Sequence, residues 1–229
     1  MNARHHAGSE CRHTLDGAIY ARELRDAQED GRITKVPYDG TKPVSVYFDL
    51  GWADQTAEWF GQHIASEIRL IDFRQDAQRS FSHYLQMLQS CGYVYGTVWL
   101  PHDAQAKSLG TGRSVEEIAR SAGWRARIVP NLSVADGINA VRTLFPVMWF
   151  DKERCADGVQ DLKHYRYDVD PDTGQFSRNP LHDAASNGSD ALRYVAVAMQ
   201  GPCRVIYKPH APGPRPIYMQ GRSTCWMGM

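Results

Sequence analysis

The sequence has no net charge, no cysteine pairing pattern and no long apolar run, and each lack closes off a class of protein. Its 26 Lys and Arg balance 26 Asp and Glu over 229 residues. No overall field therefore draws the chain to nucleic acid or to an anionic membrane, and any such contact has to be local. Five cysteines, at positions 11, 91, 155, 203 and 225, are odd in number and form no C-x-x-C pair. That argues for a reducing compartment and against a disulfide framework or a zinc cage. No apolar stretch approaches the roughly 18 to 20 residues of a membrane span. The polar start MNARHHAGSECRH lacks the apolar centre of a signal peptide. Together these features predict a cytoplasmic protein. The phosphate-cradling G-x-x-x-x-G-K-[ST] is missing as well. Its nearest approach, GTGRS at 110–114, lacks the lysine and follows PHDAQAKSL instead of a strand. It reads as a surface loop near Asp103, within reach of a phosphate.

What is present is an ordinary globular composition, 42% hydrophobic and 23% charged, in a chain long enough to bury a substantial core. Residues 1–15 read as loosely attached, 16–31 as a helix ending at Gly31, and 35–43 as an extended connector broken by two prolines and Asp-Gly. The predicted organisation is a flexible segment and linker with a short helix over 1–43, a compact domain over 44–200, and an irregular basic tail over 201–229. Within the domain, aromatic and β-branched runs predict strands at 44–50, 56–64 and 67–73, joined as antiparallel hairpins. A helix follows at 79–90, then a fourth strand at 93–100 and a helix opened by the capping-box spacing of Ser114 and Glu117. A fifth strand at 125–129 leads to helices at 133–145, 151–166 and 182–199, with a polar loop at 170–180. The expected fold class is α/β: a mixed five-stranded sheet, three antiparallel strands then two parallel, flanked by helices.

Three carboxylates fall at element ends or on an element able to cross them. Asp49 closes the first strand before Gly51, Asp103 lies just past the fourth in WLPHDA, and Asp190 sits in the last helix. If the first and fourth strands are parallel neighbours, Asp49 and Asp103 emerge at one edge, and the helix supplies the third. Carboxylates forced together raise one another's pKa and call for a counter-charge. Their hard oxygens suit Mg²⁺ or Mn²⁺, and two such ions can hold both the attacking water and the leaving oxygen of a phosphodiester. Plainer readings stand beside this one. Asp49 and Asp103 can be turn residues, and Asp190 can pair with Arg193 at i+3. Asp183, Asn187 and Asp190 share a helix face at i, i+4, i+7, yet Asp183 can equally be the helix N-cap. Asp54 suits the hairpin turn, while His102 and His182 adjoin candidate ligands. Lys107, Arg113, Arg125 and Arg127 follow Asp103, and Arg193 follows Asp190, in a pattern able to track a DNA backbone.

Six blocks occur in order: FDLGWADQTAEWFGQ, EIRLIDF, YGTVWLPHDA, SVADGINAVR, WFDKERCADGVQDLKHYRYD and PLHDAASNGSDALRY. They resemble the nuclease domain of phage terminase large subunits, over about 44–199, and DGAIYARELRDAQEDGRITKVPYD resembles the linker preceding it. The resemblance implies a ribonuclease H-like fold and a metal-dependent endonuclease that cuts concatemeric viral DNA during packaging, using two Mg²⁺ or Mn²⁺ ions. By position, Asp49, Asp103 and Asp190 look like the metal-holding catalytic acids; Asp183 is a further candidate ligand through its helix-face spacing and not through the resemblance. Asn187, His102, His182 and Asp54 would stand around them. Similar sequences carry His where this one has Asn187, which supplies an oxygen but does not titrate. The implied partners are double-stranded DNA, a portal, a small terminase subunit and a separate ATPase, in the host cytoplasm. The ATPase domain of such subunits is missing here, which makes a separate nuclease subunit, a truncated remnant or an inactive docking module the open alternatives. Another ribonuclease H-like enzyme, such as a resolvase or transposase, fits the acids but not the six blocks.

Overall fold

The computed structural model describes residues 17–51, 54–170 and 172–200. Their elements, in chain order, are α1 (Ala21–Glu29), β1 (Ile33–Thr34), β2 (Val44–Asp49), β3 (Gln55–Ile64), β4 (Glu67–Ala77) and α2 (Phe81–Ser90). Then come β5 (Tyr95–Leu100), a 3-10 turn at His102–Gln105, α3 (Val115–Ser121), β6 (Ala126–Ile128) and α4 (Val134–Leu144). The last are β7 (Met148–Asp151), α5 (Ala156–His164), β8 (Tyr167–Val169), β9 (Phe176–Pro180) and α6 (Ala184–Gln200). The expectations placed on 1–15 and 201–229 lie outside the described residues.

Seven strands form one mixed sheet in the order β1-β7-β4-β3-β2-β5-β6. The antiparallel meander β2-β3-β4 and the parallel neighbours β5 and β6 are the five strands read from sequence. Two more correct the expected count. β7 pairs parallel with β4, and β1 pairs parallel with β7. The 151–166 helix is therefore shorter than predicted, because Met148–Asp151 is strand and α5 starts at Ala156. The loop expected at 170–180 is also in part strand, since β9 (Phe176–Pro180) pairs with β8 as a separate two-stranded ribbon.

The compact body begins well before Val44. Ile19, Tyr20, Leu24 and Ala27 are buried in the core. Arg32 donates from Nη1 to the Phe145 and Met148 carbonyls at 2.7 and 3.2 Å. At the far end of this seam, Asp151 Oδ2 accepts the Val36 amide at 2.8 Å. A linker that buries apolar side chains and adds a strand is part of the domain in energetic terms.

Both sheet faces are covered, giving three layers. One face packs α1, α4, α5 and α6 against Tyr47, Trp59 and Phe150. The other packs α2 and α3 against Phe48, Phe60 and Val98. Central strands β2 and β3 are buried on both sides, so neither alternates strictly, and β3 buries Thr56, Glu58 and Gln62 along with its apolar residues. The start of α3 carries the predicted reciprocal cap: Ser114 Oγ accepts the Glu117 amide at 3.1 Å, and Glu117 Oε2 accepts the Ser114 amide at 2.9 Å. On the α6 face, Gly158 of α5 lets the helix lie on the Trp59 ring, because a Cβ there would stand 2.5 Å from that ring.

Candidate functional site

The parallel pairing of β2 with β5 puts Tyr47 opposite Trp99, so both strands end at one sheet edge. Asp49 is the last residue of β2, and Asp103 lies in the 3-10 turn three residues past β5. The long helix α6 crosses β2 and β3 between α4 and α5. It is pinned there by the Trp59 indole N–H, which donates to the Gly188 carbonyl at 2.8 Å. That crossing brings Asp190, Arg193 and Tyr194 to the same edge.

Asp49 senses the charges of the other two acids. Burial pushes the Asp49 carboxyl from 3.8 up to about 7, and the charges of Asp190 and, more weakly, Asp103 add to the rise. Arg193 and a hydrogen bond with Tyr194 oppose it. Asp49, Asp190 and Asp103 also push the Tyr194 hydroxyl up, after burial as the main cause. Asp190 itself is compensated within the protein. Arg193 Nη2 and Nε stand 2.7 and 3.0 Å from its Oδ1, and the Tyr165 hydroxyl donates to the same oxygen at 3.3 Å. A cavity of about 310 Å³ opens beside this group, lined by His102, Val129, Leu132, Val134, Arg193 and Tyr194.

The oxygen-only donor set suits a hard divalent cation, and a carboxyl lifted first by burial and then by two nearby carboxylates marks where positive charge is wanted. Arg193 already supplies one such charge. Among the described residues, no three His, Cys, Asp or Glu side chains lie close enough to hold an ion between them. The residues fit a metal in chemistry, then, with Asp190 drawn toward Arg193 in place of a closed three-acid cage.

Other sequence-predicted residues take different roles. Asp183, expected as a ligand, is committed elsewhere: Oδ2 pairs with Arg166 at 3.1 Å and Oδ1 accepts the Ala185 amide at 3.0 Å at the start of α6. Helix capping, its plainer reading, accounts for the Ala185 contact, and the Arg166 ion pair takes the other oxygen. Asn187 is buried on α6. His182 is exposed, 3.4 Å from Asp54 Oδ2, with its Nδ1 3.0 Å from the Ser186 hydroxyl. Asp54 thus meets the segment leading into α6, and in the β2–β3 connection the Gly51 carbonyl accepts the Thr56 hydroxyl at 3.0 Å. His102 is exposed beside Asp103.

Among the basic residues, Arg193 is 8% exposed and paired with Asp190, at the wall of the cavity and not on an exposed rim. Lys107 lies 3.8 Å from Glu117, and Arg113 bonds Ser121, both folded back on α3. Arg125, just before the edge strand β6, and Arg127 within it are exposed, with the Arg127 guanidinium 5.9 Å from the Trp99 ring centre. Tyr165 and Tyr194 are site residues the sequence reading missed. Tyr194 ends the quoted PLHDAASNGSDALRY and stands four residues after Asp190, one turn along the same face; that spacing was the available signal.

No protein-family model matches the sequence, and no curated protein matches it. Solved structures do. The large terminase of a thermophilic bacteriophage superposes with a TM-score of 0.62 at 16% identity, covering 80% of this chain and 45% of that one. The P22 large terminase nuclease domain gives 0.54 at 17% identity, covering 74% of this chain and 88% of that domain. The fold is that of a large-terminase nuclease domain. The nuclease of another thermophilic phage, G20c, solved with magnesium and with cobalt bound, gives a TM-score of 0.51 at 14% identity, covering 79% of this chain and 98% of that one. This chain spans 45% of the length of the first of these terminases. At such identities the likeness to the terminase nucleases is one of fold.

Proposed function

We propose that the chain is a metal-dependent DNA endonuclease of the terminase type, cutting concatemeric viral DNA during genome packaging. The observation that carries this reading is the placement of Asp49 and Asp103 at the ends of the parallel neighbours β2 and β5, with Asp190 on the helix α6 that packs across β2, in a chain with the fold of a terminase nuclease domain. The G20c nuclease, with magnesium or cobalt bound, supports a divalent cation as the counter-charge. When bound, one or two Mg²⁺ or Mn²⁺ ions would supply activated water and stabilise the leaving oxygen.

The protein's own part is to hold the reacting phosphodiester and set the charges around it. Asp49 and Asp103 offer carboxylate oxygens at adjacent strand ends, and Asp190 brings a third from α6. Tyr194 bonds Asp49 and keeps it oriented. Arg125, Arg127 and the Lys107–Arg113 loop flank the edge and would meet the phosphate backbone, giving salt-dependent, sequence-independent affinity. Double-stranded DNA is the substrate, in the cytoplasm of the infected cell. The portal, a small terminase subunit and an ATPase partner follow from the packaging role.

A second reading rests on Asn187 and on the Arg193–Asp190 pair: an inactive nuclease fold that docks on the packaging machinery. Plasmid nicking with Mn²⁺, Mg²⁺ or EDTA separates the two. The endonuclease reading expects metal-dependent nicking that Asp49→Ala or Asp103→Ala abolishes. Nicking that persists in EDTA, or in both variants, removes the mechanism. No nicking together with tight binding to a portal or ATPase establishes the docking module.

A further inference from the structure

We propose that Arg193 is the internal counter-ion of the carboxylate group, and that a divalent cation gains Asp190 only as Arg193 gives it up. The inference rests on reading Asp49, Asp103 and Asp190 as a cation site, and adds what a cation has to displace to gain Asp190.

The pairing is unlike a surface i, i+3 ion pair. Arg193 is 8% exposed, and its fork reaches a single oxygen, Asp190 Oδ1, through Nη2 at 2.7 Å and Nε at 3.0 Å. The Tyr165 hydroxyl adds a third donor to that oxygen at 3.3 Å. No described residue donates to Oδ2. The seat of the side chain is cut to fit, for a Cβ at Gly137 of α4 would stand 3.1 Å from Arg193 Cδ and 3.3 Å from Nη1. A buried guanidinium without an anion is costly, so Arg193 is held by Asp190 as much as it holds it.

One carboxylate cannot fully compensate both a guanidinium and a dication. Asp190 Oδ1 is taken by Arg193, and no closed three-acid cage is formed among the described residues. With a cation at Asp49 and Asp190, the guanidinium is repelled and needs another anion. It already lines the cavity of about 310 Å³ shared with His102 and Tyr194, where a phosphate oxygen can take the place of Asp190. Cation entry and phosphate capture are then coupled through one side chain.

The test is Mn²⁺ binding, followed by the paramagnetic resonance of free Mn²⁺, on the wild-type chain and on Arg193→Gln, Arg193→Lys and Tyr165→Phe, with melting temperature as a second readout. Removing the competing charge should tighten Mn²⁺ binding by roughly tenfold in Arg193→Gln. The same variant should melt lower without metal and gain more from saturating Mn²⁺. Arg193→Lys, which keeps the charge, and Tyr165→Phe, which removes a neutral donor, should stay near wild type in affinity. Equal or weaker Mn²⁺ binding by Arg193→Gln, with wild type still binding, overturns the counter-ion role alone. Wild-type binding that ignores Asp49→Asn, or no binding by any variant, overturns the cation site and this inference with it. If Arg193→Gln fails to fold, the wild-type chain decides the matter through the Arg193 Nε–H resonance during Mg²⁺ titration. Faster hydrogen exchange at saturating Mg²⁺ is expected; an unmoved signal contradicts the proposal.

Discussion

Two acidic pockets lie on opposite faces of the same sheet, and they differ in an instructive way. On the α2 face, Glu58 of β3 is 1% exposed, and burial pushes its carboxyl from 4.5 to about 8. Arg74 opposes that rise while Asp72 and Asp76 add to it. On the α6 face, Asp49 of β2 rises to about 7, again with burial first. By pKa alone the two are alike. Glu58, however, is closed in: its neighbour Asp72 is claimed by Arg74 at 3.1 Å, Arg74 lies over the Phe60 ring, and Oε2 has no partner among the described residues. Asp49 stands instead at a strand end, with exposed Asp103 beyond it, a third acid on another element and a cavity alongside. A lifted carboxyl measures the cost of burying charge; access and the company of acids from separate elements distinguish a site from a strained core.

The comparison can be broken most decisively by substitution. Asp49→Ala or Asp103→Ala should lower metal-dependent nicking by more than about a hundredfold, beyond the effect usual for a residue that only supports a ligand. Glu58→Gln should leave nicking near wild type. Comparable losses from all three would erase the distinction between the faces. The next effect is on stability against pH. Because the folded value of Glu58 lies above the ordinary one, its contribution is fully present below about 4.5 and is lost as pH rises through about 8. Urea unfolding between pH 5 and 9 should therefore show a decline that Glu58→Gln reduces by up to about 4 kcal/mol. An unchanged slope would place the proton elsewhere. Gly158→Ala should cost about 1–3 kcal/mol by forcing α5 off Trp59 and loosening the support of α6. The smallest change belongs to the rim: Arg125→Gln or Arg127→Gln should each reduce the salt slope of DNA binding by about one unit, across all sequences alike.

What could be read beforehand follows from where the physical signal is local. The meander β2-β3-β4 and its parallel neighbour β5 announced themselves through aromatic runs broken by short turns, and the α3 cap through Ser114 and Glu117. β7 was hidden because its apolar residues, Met148 to Phe150, run through Asp151 into the helical pattern of α5 with only a brief polar break. β1 is two residues long, and its pairing is fixed by contacts more than a hundred residues away, including Arg32 to the Phe145 carbonyl. The ribbon β8–β9 is largely exposed and lacks the apolar alternation that marks a half-buried strand. In the site, the acids at strand ends were legible because a charge beside an apolar strand is conspicuous. Asp183 was ambiguous because capping and coordination ask for the same side chain. Tyr165 approaches Asp190 only once α5 and α6 pack, which no spacing in the sequence encodes.

The account turns on whether Asp49, Asp103 and Asp190 share a divalent cation. A crystal of the chain soaked in Mn²⁺, with anomalous scattering recorded, tests this most directly. The account predicts a peak with carboxylate oxygens of all three residues at about 2.0–2.6 Å and the Arg193 guanidinium withdrawn from Asp190. A peak held by other side chains, or saturating Mn²⁺ that leaves the Arg193–Asp190 pair and an empty edge, would contradict it.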